Sequence, residues 1–143
     1  NGINEVYSFV EYKLRKSGIQ FINEARDDDI IFIDPHDFQK VMLNLFINAI
    51  HAMQHGGVLK VSSYRNDSTV NMEVSDTGTG ISQENAGKIF DPFFTTKPPG
   101  EGTGLGLWLT YEIIKNYKGG ISVESGTGSG SKFTLTFPVA RAA

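Results

Sequence analysis

Two asparagines stand four apart in a segment that is otherwise almost wholly apolar, Val41-Met42-Leu43-Asn44-Leu45-Phe46-Ile47-Asn48-Ala49-Ile50. On a helix that spacing puts both on one face, and a helix apolar nearly all round is largely buried. A buried carboxamide without partners costs on the order of 1–3 kcal/mol. Asn44 and Asn48 therefore call for a shared polar partner. That partner is either a group of the protein or a hard ligand. A carboxamide oxygen suits Mg²⁺, whose other ligands are waters and phosphate oxygens. Further helical steps along the stripe reach His51 and His55.

Three glycine-bearing segments follow. In Asp76-Thr77-Gly78-Thr79-Gly80 an acid ends a strand-like run. It is either an ordinary turn or an acceptor for a ligand donor such as an adenine amino group, with the base lying against the glycine backbone. Gly102-Thr103-Gly104-Leu105-Gly106-Leu107 follows a stretch holding Pro92, Pro98 and Pro99 and opens into an amphipathic run. Free N–H groups and a positive dipole end at such a turn favour phosphates. Lys97 in the same stretch either reaches those phosphates or is solvated. Gly126-Thr127-Gly128-Ser129-Gly130-Ser131 is a hairpin connection, or it presents the Ser131 hydroxyl to a ligand directly or through water. Two common phosphate motifs do not fit. The dinucleotide fingerprint needs a strand directly before its glycines, and the Walker loop needs a lysine spacing that no window supplies.

These residues need elements to hold them. Ile3, Val6, Val10 and Leu14 recur at helical spacing over an opening helix at residues 1–17, which has a basic end before Gly18. Ile19 to Asn23 and Ile30 to Ile33 are short β-like runs. Asp34-Pro35 is an N-cap with proline at the first helical position, starting a helix to about Gln54. His36 then belongs to a helix start at the surface. Val58 to Tyr64 and Thr69 to Val74 form a hairpin about Asn66-Asp67. A short helix is expected at Glu84 to Phe90, a longer one from Leu105 to Tyr117, and strands at Ile121 to Glu124 and Lys132 to Phe137. Phe90, Phe93 and Phe94 read as loop anchors on the core. The elements predict an α/β class with a two-layer sandwich.

Composition narrows the class. The 143 residues make one domain with a real core, since ten Phe, five Tyr and one Trp need burying. No apolar run approaches the roughly 20 residues that span a bilayer. There is no cysteine, so disulfides and thiolate chemistry are excluded. A net charge of −3 without a basic block suggests no nucleic-acid surface. Sixteen glycines are an excess over the usual ~7%, and twelve fall between Gly78 and Gly130.

Asn44-x3-Asn48-Ala49, Asp76-x-Gly78-x-Gly80, Phe90-x-Pro92-Phe93, Gly102-x-Gly104-x-Gly106 and Gly128-x-Gly130-Ser131-x-Phe133 stand in the order of the N, G1, F, G2 and G3 boxes. The set resembles the catalytic ATP-binding domain of sensor histidine kinases, within the gyrase, chaperone, histidine-kinase and mismatch-repair ATPase superfamily. The resemblance covers nearly the whole chain. It implies the family's Bergerat sandwich, a mixed sheet of about five strands under about three helices. It implies that Asn48 coordinates Mg²⁺, with Asn44 beside the metal and phosphates. Asp76 would accept from the adenine amine, with Gly78 and Gly80 facing the base. Residues 91–103 would form the ATP lid, with Lys97 acting on the phosphates. Gly102, Thr103, Gly104, Leu105, Gly106 and Leu107 would meet the phosphates. Ser131 stands where the family usually has Thr and keeps its hydroxyl. The resemblance adds His51, Ile81, Phe90 and Thr96 to the nucleotide site.

Hydrolysing relatives usually place Glu at the position of Asn44, and a carboxamide cannot take a proton. The implied activity is donation of the ATP γ-phosphoryl group to a histidine on a separate helical dimerisation domain, and indirectly to a response regulator. That domain is absent from these residues. His36-Asp37 resembles the acceptor motif but sits at the start of the asparagine helix. Two other readings are a nucleotide-binding module without transfer and an anti-sigma-factor serine kinase. Five intact boxes argue against the first; the phenylalanine-rich Phe90 to Phe94 stretch and the long lid argue against the second. Cytoplasmic placement, a monomeric isolated domain and no membrane contact complete the expectations.

Overall fold

Strand residues alternate in burial with a period of two, and this alternation assigns the two sides of the sheet. The computed structural model describes residues 2–26, 33–53, 55–66, 68–80, 106–125 and 130–138. Within them the chain runs α1 (Gly2–Lys16), β1 (Ile19–Glu24), α2 (Pro35–Ala52), β2 (Gly57–Arg65), β3 (Thr69–Asp76), α3 (Gly106–Asn116), β4 (Gly120–Ser125) and β5 (Ser131–Pro138). The five strands lie in the order β1-β2-β3-β5-β4. β1 pairs β2 in parallel, and the other pairs are antiparallel. The sheet is thus mixed, as the resemblance implies.

The hairpin expected about Asn66 is present, closed by the Asn66 amide on the Thr69 carbonyl at 2.9 Å. Asp34 caps α2 as its sequence predicts: its carboxylate accepts from the His36 amide at 2.8 Å, with Pro35 at the first turn. His36 is exposed at that surface. The expected α2 boundary at Gln54 shortens to Ala52, and the third helix runs two residues less than its predicted span, starting one residue later and ending one earlier. The expected helix at residues 84–90 and the β-like residues 30–32 lie outside the described residues.

One face of the sheet carries Leu59 and Val61 from β2, Met72 and Val74 from β3, and Phe133, Leu135 and Phe137 from β5, all buried. Helix α1 meets them through Val6, Val10 and Leu14, and α2 through Met42, Leu45, Phe46 and Ile50. Each such side chain stabilises the fold by about 1.5–3 kcal/mol when fully buried. Tyr7 stacks on Phe21 with ring centroids 4.6 Å apart, and Phe21 meets Phe46 edge-on at 5.7 Å, tying α1, β1 and α2 together. The opposite face is polar. There Lys132 lies 3.3 Å from Glu124 and 3.6 Å from Glu73, and Lys60 pairs with Glu24 at 3.1 Å. The Glu124 and Glu73 carboxylates hold the Lys132 ammonium above its usual pKa. No helix among the described residues is long and apolar enough to cross a membrane.

Helix α2 lies between its two helical neighbours, packing on α1, on α3 and on β3. Tyr117, just past α3, joins the far ends of this layer. Its hydroxyl donates to Asp37 at 2.6 Å and accepts the Asp34 amide at 3.1 Å. Those bonds fix the start of α2 against the end of α3. The Asp37 carboxylate, as acceptor, pushes the Tyr117 phenol above its ordinary pKa.

Candidate functional site

The asparagine stripe of α2 is only half-buried, although the helix is apolar nearly all round. The Asn44 amide donates to the Thr110 hydroxyl on α3 at 3.4 Å, and Thr110 is fully buried. Asn48 lies one turn further along. Among the described residues its carboxamide has no hydrogen-bond partner. His51 is exposed in the last turn. The open choice left by the sequence is thereby divided: Asn44 has a protein partner, and Asn48 presents an amide oxygen.

Asp76 ends β3 on the core face and is 8% exposed. Its register partner is Ser131, the first residue of β5, 7% exposed. The Asp76 carboxylate accepts the Gly78 amide at 2.8 Å and also the Ser131 amide. Burial pushes its pKa above the ordinary 3.8, while the two amides pull it back down. The result is a buried acceptor held by backbone rather than by a cation.

The turn after Asp76 is locked to the end of α2. The Thr79 amide donates to the Ala52 carbonyl at 3.2 Å. A side chain at Gly78 would strike that same carbonyl. Thr77 accepts the Val58 amide at 3.0 Å and donates to the Met53 sulfur at 3.7 Å. Gly78 thus has a packing reason for being glycine, where the resemblance implied only closeness to a base. Gly130 likewise has φ +81, and a Cβ there would strike the Asp76 carbonyl. Gly78 thus lets the turn press onto the end of α2, and Gly130 lets the start of β5 press onto Asp76.

A cavity of about 360 Å³ opens at this end of the sheet, lined by Asp76, Ser131, Ser125, Gly130, Ser75 and the charged pair Glu124 and Lys132. Ser125, at the end of β4, donates its hydroxyl to the Gly130 carbonyl at 2.9 Å and lies 3.0 Å from the Ser131 hydroxyl. Gly106 opens α3, with Leu107 half-buried behind it. Ile81, Phe90, Thr96, Lys97, Gly102, Thr103, Gly104 and Leu105, and with them the lid expected at 91–103, lie outside the described residues.

Sequence reasoning missed Thr110, Ser125 and the Ala52 carbonyl. A hydroxyl among Leu107, Ile113 and Ile114 was a visible signal for Thr110. Nothing marked Ser125 or a main-chain carbonyl. The donor set fits a magnesium nucleotide. Among the described residues no three His, Cys, Asp or Glu side chains form a metal cage. Mg²⁺ instead suits one or two protein oxygens beside phosphates, and Asn48 supplies such an oxygen.

A family model described as histidine kinase-, DNA gyrase B- and HSP90-like ATPase matches residues 33–141. The sensor histidine kinase ZraS of Escherichia coli K12 is 43% identical over 138 residues, which are 96% of this chain and 29% of that protein. The chain therefore spans less than a third of that relative's length. The nucleotide-free catalytic domain of histidine kinase ThkA superposes with a TM-score of 0.86 at 35% identity, covering 98% of this chain and 93% of that one. A second ThkA structure, in complex with the response regulator TrrA, gives 0.80 at 33% identity, covering 97% of this chain and 40% of that one. With this match in sequence and in fold, the chain belongs to the histidine kinase-, DNA gyrase B- and HSP90-like ATPases, on their sensor-histidine-kinase branch.

Proposed function

We propose that this chain holds Mg-ATP beside Asp76 and donates the γ-phosphoryl group to a histidine on a separate helical domain, in signalling through a response regulator. The observation that carries the reading is the buried Asp76 carboxylate lining a cavity and fixed by two backbone amides. A buried acceptor needs a donor, and an adenine amino group is one. Ser131 offers its hydroxyl to the same edge. Asn48 would hold the metal through its carboxamide oxygen, with Asn44, anchored by Thr110, one turn away on the same helix. His51, Gly78, Gly80 and Ile81 belong to the same pocket.

Gly106 opens α3, and the positive end of that helix would suit the anionic oxygens of the phosphates. Gly102, Thr103, Gly104, Leu105 and Leu107 belong with it, and Phe90, Thr96 and Lys97 with the lid. Bound Mg²⁺ would supply charge neutralisation on the phosphates, and the protein would supply mostly positioning. An asparagine at position 44 cannot take a proton from water, so the residues favour transfer over hydrolysis.

The test is calorimetric titration with ADP and ATP, with and without Mg²⁺, alongside Trp108 fluorescence. Binding that depends on Mg²⁺ is expected, and Asn48→Ala removes that dependence. A histidine-bearing helical domain added in trans with labelled ATP then becomes labelled. No nucleotide binding by the wild type overturns the reading. Binding without transfer, when the same helical domain accepts phosphate from its own kinase, leaves only a nucleotide-binding module.

A further inference from the structure

The direction of the hydroxyl bonds around Gly130 can be worked out from the protons available. A carbonyl oxygen only accepts, so at 2.9 Å from the Gly130 carbonyl the Ser125 hydroxyl must be the donor. A serine hydroxyl has one proton. With that proton on Gly130, the 3.0 Å contact between Ser125 and Ser131 runs the other way: Ser131 donates and Ser125 accepts. Ser131 therefore has its own proton directed at Ser125, and what it turns to the cavity is lone pairs. Asp76, its register partner, is also acceptor-only when ionised. Two adjacent buried residues on one cavity wall thus share one hydrogen-bonding polarity.

We propose that Ser125 is a specificity-determining positioning residue: through Ser131 it makes the Asp76–Ser131 pair acceptor-only, selecting a purine with an amino group over one with a carbonyl at the same ring position. This rests on the Mg-ATP reading above. Ser125 lines the same cavity, and its part in this selection is indirect. It acts by using up the proton that Ser131 would otherwise turn toward a carbonyl. A ligand carbonyl placed against that pair then meets two acceptors and no donor from either. Sites built around such fixed polar groups discriminate strongly, because a mismatched ligand leaves buried groups unpaired.

The experiment measures the affinities of ADP and inosine diphosphate for the whole chain with Mg²⁺. The wild type prefers ADP. Ser125→Ala frees the Ser131 proton and narrows the preference by about fivefold, the value of one modest hydrogen bond. Ser125→Thr, which keeps the hydroxyl, retains the wild-type preference. In a Ser131→Ala background, Ser125→Ala changes the preference no further, which a general loosening of β4 would not produce. Ser125→Cys keeps the size but is a weak donor; it narrows the preference in the same direction and serves if the alanine variant does not fold. A wild-type preference that survives both Ser125→Ala and Ser125→Cys overturns the proposal and leaves the Mg-ATP reading standing. A wild type that binds neither nucleotide overturns both.

Discussion

The two ends of the β3–β5 pair are built from the same strands, in one register, on one face of the sheet, and differ in chemistry. At one end Val70 faces Phe137 and Met72 faces Leu135; at the other Asp76 faces Ser131. All six are 8% exposed or less. Burial by itself therefore does not distinguish core from site. The apolar end gains from leaving water. The polar end is tolerated because backbone amides and hydroxyls satisfy it. One strand pair carries both because side chains two residues apart share a face, so the core row runs directly into the polar row.

The comparison breaks most visibly at the apolar end. Phe137→Ala should lower stability by about 3–5 kcal/mol, since a fully buried ring leaves a cavity that its neighbours close only in part. Urea denaturation measures it, and the folded fraction should still bind ADP. Gly130→Ala comes next, because it places a methyl group against the Asp76 carbonyl at a backbone angle of φ +81. A loss of about 1–3 kcal/mol is expected. Unlike Phe137→Ala, it should also weaken nucleotide binding, since the residue it displaces is Asp76.

Asp76→Asn should separate the ends in sign. Burial raises the Asp76 pKa above its ordinary 3.8, so the folded chain holds that proton more tightly than the unfolded one. Stability from this group is full below the unfolded value and is lost as pH rises through the folded value. At neutral pH the charged carboxylate opposes folding, and asparagine removes that opposition. The variant should melt a few degrees higher than the wild type at pH 7. Its advantage should shrink as pH is taken below 3.8, while its preference for adenine over guanine nucleotides falls at neutral pH. A variant that melts lower at pH 7 would show that the carboxylate stabilises the fold after all. The smallest effect belongs to Tyr117→Phe, which removes the bonds to Asp37 and Asp34 at the solvent edge. It should lower the melting temperature slightly and leave adenine preference unchanged.

Much of this was legible in the residue order. Helices and strands announce themselves by period, and the Asp34 cap, the Asn66 turn and the strands about Val61 and Leu135 fall where the pattern puts them. Local rules also single out Asn44, Asn48, Asp76 and Ser131, because each is a polar residue where burial or a strand end makes polarity costly. What escaped is non-local. The Asn44–Thr110 bond joins residues 66 apart, and the Gly78 contact is with a main-chain carbonyl that has no side-chain signature.

The sequence by itself determined the periods of the helices and strands and which side chains can only accept, and its asparagine stripe and three glycine clusters carry the resemblance to one family. Periodicity and side-chain chemistry are properties of short segments, so the chain carries them without the fold. Tertiary structure decided which of those groups meet. The parallel placing of β1 and the pressing of Gly78 and Gly130 onto the ends of α2 and β3 depend on elements distant in sequence. A hydrogen bond is specified by two positions in space, and only the packed sheet and helices supply both.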